Sequence, residues 1–431
     1  MYLYYMSEWI ITFTYCVLIS FLIWKISSNN ALTILPGYRI STFLLKIVLG
    51  FLNYYIWIQV IGHGDSLRYV HDSQVVYQSL FDNPMYFLQL LTRTSLEQVP
   101  EHLVPYQHAL FIEWHVPEYN MVRILAVLNV FTFGSAWANI VLLCGLIWWA
   151  QWWFFRRLCG FIPAKPMVQH IWFAILFLLP STLLWSSGLL KEGPILALLC
   201  ILCGLAISWL QHPKEKRGRI GIWICLTLWG IYIIRDYLGI VIGSNILALI
   251  ILHQLPAAGK RPVLSLTIFA VCVSGIIILL SVAGVIPDIF IHLKNEQSYF
   301  LLSGPDPDYT FHTLDGTAGS FFSCIPYAIQ NNLFRPNILH STSPYRIYQS
   351  LELLAVILFL FWILIQYRHQ LRFNWLSAMI LLMIVELSFI FGIMVTDADT
   401  LSRYRSIPTL ALVLLASMVL ARRDEHPLSS T

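Results

Sequence analysis

The residues able to do chemistry fall in short polar islands between apolar runs. The first is Gly62-His63-Gly64-Asp65-Ser66. Two glycines so close permit a tight backbone turn, with Asp65 just beyond it. A carboxylate held there can take a proton from an acceptor hydroxyl, the task of a general base. Asp and Ser are also good helix N-caps, so Asp65 can equally cap the helix that follows. Beyond it, Tyr69, Ser73, Val76, Tyr77 and Leu80 recur at helical spacing, and Phe81, Met85, Phe87, Leu88 and Leu91 add an apolar surface. That pattern predicts an amphipathic helix along the outer leaflet, or an ordinary packed loop helix.

A second island, Ser186-Ser187-Gly188-Leu189-Leu190-Lys191-Glu192, interrupts two apolar runs. Ionisable residues at a membrane edge face a cavity or a partner. Lys191 can hold a lipid phosphate, or pair with Glu192 or Asp236. Further along come Arg235, Arg335, Arg346, Arg403 and Arg405. Their guanidinium forks suit phosphate or diphosphate oxygens. They can also pair with Asp236, Asp306, Asp397 and Asp399. Glu386 lies inside an apolar run, as a packing group or a proton relay. Asp306, Asp308 and Asp315 do not form a cation-binding loop signature. The eight cysteines show no metal-ligand spacing, and only Cys324 falls in a long polar segment. No metal and no other cofactor is expected.

These islands need elements to hold them. The chain is 58% hydrophobic and 11% charged, where a soluble domain carries about 25% charged residues. Lipid is the implied solvent, so each span must satisfy its own backbone as a helix. The expectation is an all-α, polytopic transmembrane helix bundle, residues 1–431 as a single integral membrane domain crossing about eleven times. The spans are placed near Trp9–Trp24, Phe43–Ile61, Ser135–Phe155, Val168–Ser186, Leu189–Leu210, Ile220–Ile234, Leu238–Leu255, Leu264–Ile286, Leu351–Tyr367, a tenth reaching Val395, and an eleventh ending at Arg422-Arg423. The first has no basic residue before it and no small-residue cleavage site, so it is read as a retained helix. Every second connection is short and basic: Lys25, Arg39 and Lys46; Arg156, Arg157 and Lys165; Lys214 to Arg219; Lys260 and Arg261; Arg368 and Arg372; and the carboxyl end. The positive-inside rule then puts the amino terminus outside and the carboxyl terminus inside. Two long outer loops follow, 63–120 and 287–348, with short amphipathic helices. The net charge of +4 sits mainly in these short connections, which argues for orientation and against nucleic-acid binding.

Several of these residues also fall into ordered motifs. Gly64-Asp65-Ser66 with Tyr69 comes first, then Pro180-Ser181, Trp185-Ser186-Ser187-Gly188 and Lys191-Glu192. Ile234-Arg235-Asp236-Tyr237 follows, then Leu333-Phe334-Arg335-Pro336 with Glu352, and Arg403-Tyr404-Arg405-Ser406-Ile407-Pro408. Together they resemble polytopic membrane proteins of bacterial surface-polysaccharide loci, relatives of the C-type glycosyltransferase superfamily. One helix more than that family's core precedes the acidic loop. The resemblance implies a multi-pass protein of the bacterial inner membrane. It would move a sugar from a polyprenyl-phosphate-linked donor to a glycan, glycolipid or protein acceptor at the outer face. It places catalytic carboxylates at Asp65 and, as the second acid of that loop, Asp72. Lys191, Arg235, Arg335, Arg403 and Arg405 would bind the donor phosphate, with Glu192, Tyr69 and Tyr404 in support. The absence of a nucleotide-binding glycine turn fits a lipid-linked donor. Two other activities share these features: a polysaccharide polymerase or ligase of the O-antigen type, and a non-enzymatic exporter or assembly scaffold for lipid-linked glycans.

Overall fold

The computed structural model describes residues 2–26, 32–95, 99–253, 267–268, 271–276, 279, 289–302, 311–336, 338, 344–369 and 375–424. Among these residues the chain is helical and contains no strand. Among the described residues seven helices are long and apolar enough to cross a membrane, which marks a membrane protein. More than half of the span placed at 264–286 falls outside the described residues, as do Lys260, Arg261, Asp306, Asp308 and Arg372. The chain divides by its contacts into two compact units, where the sequence suggests one domain. One is Met1–Leu178 with Leu183–Asp236, and the other is Leu179–Thr182 with Tyr237–Thr431.

In the first unit, α1 (Tyr2–Lys25) and α2 (Pro36–Tyr55) are followed by a π-helical turn, Ile56–Ile61. Pro36 opens α2 after an extended Leu35, where its missing N–H costs nothing. Arg39 and Lys46, counted above among the basic residues of a connection, therefore lie inside α2, and both are buried. Then come α3 (Asp65–Asp82), α4 (Pro84–Thr92) and α5 (Val104–Ala109), three short helices within the polar stretch 63–120. Asn83 caps α4 by accepting from the Met85 amide at 2.9 Å. An apolar helix that the sequence reading did not assign, α6 (Tyr119–Thr132), follows. Its 14 residues span about 21 Å at ~1.5 Å per residue, short of a ~30 Å hydrocarbon core.

The long helix α7 (Ala136–Phe161) is the spine of this unit. It packs against α1, α2, α6, α8 (Pro166–Leu178) and α10 (Glu192–Gln211). Trp148, Trp152, Phe155, Phe173 and Phe177 interlock along the α7–α8 contact. The apolar run 168–186 is not one helix: α8 stops at Leu178, and α9 covers Pro180–Trp185. Helix α11 (Lys214–Ile234) ends at an extended Arg235, and α12 (Asp236–His253) begins directly after it.

The second unit contains α12, α13 (Ile289–Leu302), α14 (Ala318–Phe334), α15 (Pro344–Tyr367), α16 (Trp375–Met394) and α17 (Ala398–Ser417). Helix α16 packs against α13, α14 and α17, and α15 packs against α17. Thr317 caps α14 and Asp397 caps α17, each side chain accepting from the amide three residues on.

Candidate functional site

The turn before Asp65 forms for the reason its glycines suggest. Gly62 closes the π-helical segment in the left-handed region, φ 72°, and its amide donates to the Trp57 carbonyl at 2.9 Å. Gly64 has φ 133°, and a Cβ there would lie 2.7 Å from the Trp57 ring. Only glycine fits between that backbone angle and that ring. Asp65 is thereby delivered to the first turn of α3, half-buried. Gly64, not Asp65, occupies the cap position and no side chain caps it. The carboxylate still gains from the partial positive charge of the helix start.

Asp65 stands within electrostatic reach of Glu118, whose ionisation it opposes. Glu118 precedes α6 and accepts from Lys191 Nζ at 2.7 Å. Burial pushes the Glu118 carboxyl up. The charge and hydrogen bond of Lys191, helped by a backbone hydrogen bond, pull it further down, and it ends below the ordinary carboxylate value. Lys191 thus pairs with Glu118, seventy-three positions away, and not with the neighbouring Glu192 or Asp236 that the sequence offered. Glu192 is taken by Arg235, whose Nη2 donates to Oε1 at 2.9 Å; the two side chains are 3% and 4% exposed. The end of α11 is fixed to the start of α6 nearby, Asn120 Nδ2 donating to the Ile233 carbonyl at 2.6 Å. Two ion pairs thus meet at the start of α10, Lys191 with Glu118 and Glu192 with Arg235, and Asp65 acts on the first of them through its charge.

The island Ser186 to Lys191 is buried. Lys46 Nζ donates to Ser186 Oγ at 2.5 Å. Gly50 lets the Ser187 carbonyl approach α2 where any Cβ would collide with it. Cys144 Sγ donates to the same Ser187 carbonyl at 3.2 Å. Non-helical backbone between apolar helices is tolerated where protein covers it, and α2 and α7 do so here.

Asp72 has a different setting. It is fully buried, and its two oxygens accept from the Phe111 amide at 3.0 Å and the Ile112 amide at 2.8 Å. His71 Nδ1 lies 2.9 Å from Oδ1. Its carboxylate therefore pins the segment after α5 onto α3. Tyr69 is also buried, in the packed face of α3.

In the second unit, Arg405 Nη1 donates to the Arg335 carbonyl at 2.5 Å and to the Asn332 carbonyl at 3.3 Å. Those carbonyls end α14, so Arg405 is a helix C-terminal cation in the usual favourable place. Arg335 is extended, as a residue before proline must be, and half-buried. Tyr404 packs edge-on against Phe391 and Phe300. Glu352 Oε1 accepts from the Ser181 amide at 2.9 Å, and Glu386 Oε2 accepts from Asn245 Nδ2 at 2.9 Å.

Glu118 is the member of these ion pairs that sequence reasoning missed. Its signal was modest, an acid after Pro117 just ahead of an apolar run. Among the described residues no three His, Cys, Asp or Glu side chains converge as metal ligands. Comparison of the chain with protein-family models, curated proteins and solved structures finds no match.

Proposed function

We propose that the chain is a membrane glycosyltransferase that moves a sugar from a polyprenyl-phosphate-linked donor to a hydroxyl of a glycan, glycolipid or protein acceptor, at the outer face of the bacterial inner membrane. The observation that carries this reading is the placement of Asp65 beside the Glu118–Lys191 pair. Asp65 is the half-buried member at a helix start, able to meet an acceptor. Its carboxylate takes the proton as the acceptor oxygen attacks the anomeric carbon. The bond from that carbon to the donor phosphate breaks, and the phosphate leaves with the electron pair. Lys191, already desolvated, donates a hydrogen bond toward that growing charge, and preorganised donors of this kind accelerate the step. Arg235 acts through Glu192 as a positioning residue, because its buried pair has no net charge to offer. Arg335, Arg403 and Arg405 belong to the second unit and are assigned no part in this step; there Arg405 supports Arg335 through its carbonyl. Asp72 holds the loop that follows α5. No cofactor is needed in this scheme.

Transfer in membranes tests it, with a labelled polyprenyl-phosphate sugar as donor and protein abundance controlled. Asp65→Asn should lower the rate by about 10²-fold or more, the scale of a lost general base. Near-full transfer by that variant rejects the role of Asp65.

One observation favours a second reading, export of a lipid-linked glycan. The buried break at Ser186–Lys191 between α9 and α10 has the form of a discontinuous helix, a common device of transporters. Export by reconstituted vesicles that survives Asp65→Asn would select that reading.

A further inference from the structure

The seam between the first turns of α15 and α17, within the second unit, contains a buried amide without a normal environment. Gln349 is 1% exposed. Neither its Nε2 nor its Oε1 makes a hydrogen bond of regular geometry among the described residues, and its one polar contact among them is with the Tyr345 hydroxyl. Buried polar groups are nearly always satisfied, and one such contact leaves most of the amide's donors and acceptors open to a further partner. Its surroundings narrow what that partner is. Ser402 and the Tyr345 hydroxyl add groups that both donate and accept. One turn further along α15, Glu352 lies within electrostatic reach of Arg405. Asp399 and Arg403 both act on Tyr345. These two carboxylates and two guanidinium groups cancel in formal charge.

A phosphate wants donors only, and a metal ion wants acceptors only. A seam with mixed donors and acceptors and no net charge fits an uncharged polyhydroxylated group, whose hydroxyls do both. The aromatic rings point the same way. Tyr345 and Tyr348 are stacked, 6.4 Å between centroids and 28° between planes, and both are half-buried. Aromatic faces of that kind take the C–H face of a pyranose, while neighbouring amides and hydroxyls take its hydroxyls.

We infer that Gln349, with Tyr345 and Tyr348, forms a saccharide-binding subsite. That the ligand is a sugar of the transfer reaction rests on the proposed function; that the amide awaits a hydroxyl-bearing ligand does not.

The test is thermal unfolding of the full chain in a sugar-free polyoxyethylene detergent, titrated with methyl glycosides of glucose, galactose, mannose and N-acetylglucosamine. At least one should raise the unfolding temperature saturably. Gln349→Met should weaken that response roughly tenfold or more, as loss of a buried hydrogen-bonding group does, while the ligand-free protein melts no lower than wild type. Gln349→Asn, which keeps an amide, should weaken it less. Asp65→Asn should respond like wild type, because it leaves the seam intact. The inference is overturned if no glycoside shifts the wild type. It is equally overturned if Gln349→Met responds fully, or melts well below wild type without ligand, since the amide then has a structural task or holds only water. A normal glycoside response without any sugar transfer leaves the subsite standing and removes the transferase reading.

Discussion

Glu192→Ala should destabilise the first unit more than any exposed charge substitution can. The Glu192–Arg235 pair is almost fully enclosed, with a 2.9 Å contact. Removing the carboxylate leaves the guanidinium buried and uncompensated, which costs about 3–5 kcal/mol. A domain of this size loses about 2–4 °C per kcal/mol, so the unfolding temperature in detergent should fall by about 6–20 °C. The buried thiols Cys144 and Cys200 report unfolding through a thiol-reactive dye. Replacing both partners by apolar residues, Glu192→Leu with Arg235→Met, should restore most of the loss, because an enclosed pair stabilises little against a packed apolar one. If the double variant is stable and still transfers sugar, Arg235 has no part in the reaction beyond support. A fall of less than about 1 kcal/mol in the single variant would show that water reaches the guanidinium, as at an exposed pair. The enclosed pair described above would then be wrong.

Two further outcomes follow from the same site. Gly64→Ala should cost roughly 1–3 kcal/mol and displace Asp65, because the new Cβ meets the Trp57 ring at an unfavourable φ; Gly62→Ala, with open space around its Cβ, should cost only about 1–2 kcal/mol of left-handed strain, and equal melting temperatures for the two would contradict the packing. The Glu118 carboxyl is depressed by Lys191 against the opposing effect of burial, so it contributes stability above its unfolded value, and that contribution is lost as pH falls through the folded one. In Lys191→Met the depression disappears, and the acid-unfolding midpoint should move to higher pH; an unchanged acid limb would mean the pair has no thermodynamic weight.

Much of the architecture is written in local signals. The apolar runs and the double-glycine turn are each decided within a few residues; the Pro36 start and the Asn83 and Asp397 caps are equally local, although the spans placed above did not use them. The misplaced Arg39 and Lys46 show where a local rule was passed over. They are seven positions apart, two helical turns, and share the face of Thr42, Phe43 and Gly50, all buried or partly buried. Pro36-Gly37 marks the helix start that puts them there. The positive-inside pattern alone favours them as loop charges, while the helical period from Pro36 puts both on the buried face of α2. The helix break at Leu179 and the change to a π-helical pattern at Ile56 were hidden for a different reason. Hydropathy averages over a window and does not register a change of hydrogen-bond pattern within it.

Pairing is the part that no local signal carries. Lys191 has an acid beside it in sequence, yet a helix turns Glu192 toward Arg235 and leaves Lys191 to Glu118. The consequence reaches the chemistry. Counted along the chain, Lys191 and Arg235 are two positive charges available to a phosphate; in the folded unit each is offset by its own carboxylate. In the proposed transfer, Asp65 takes the acceptor proton, its repulsion of Glu118 ends, and the Lys191 ammonium faces the leaving phosphate with one less competing anion. In that proposal, proton transfer to Asp65 and charge stabilisation at Lys191 belong to one event. Under this scheme Glu118 sets the timing of the cation, and a base without that neighbour would have to work against a constant charge.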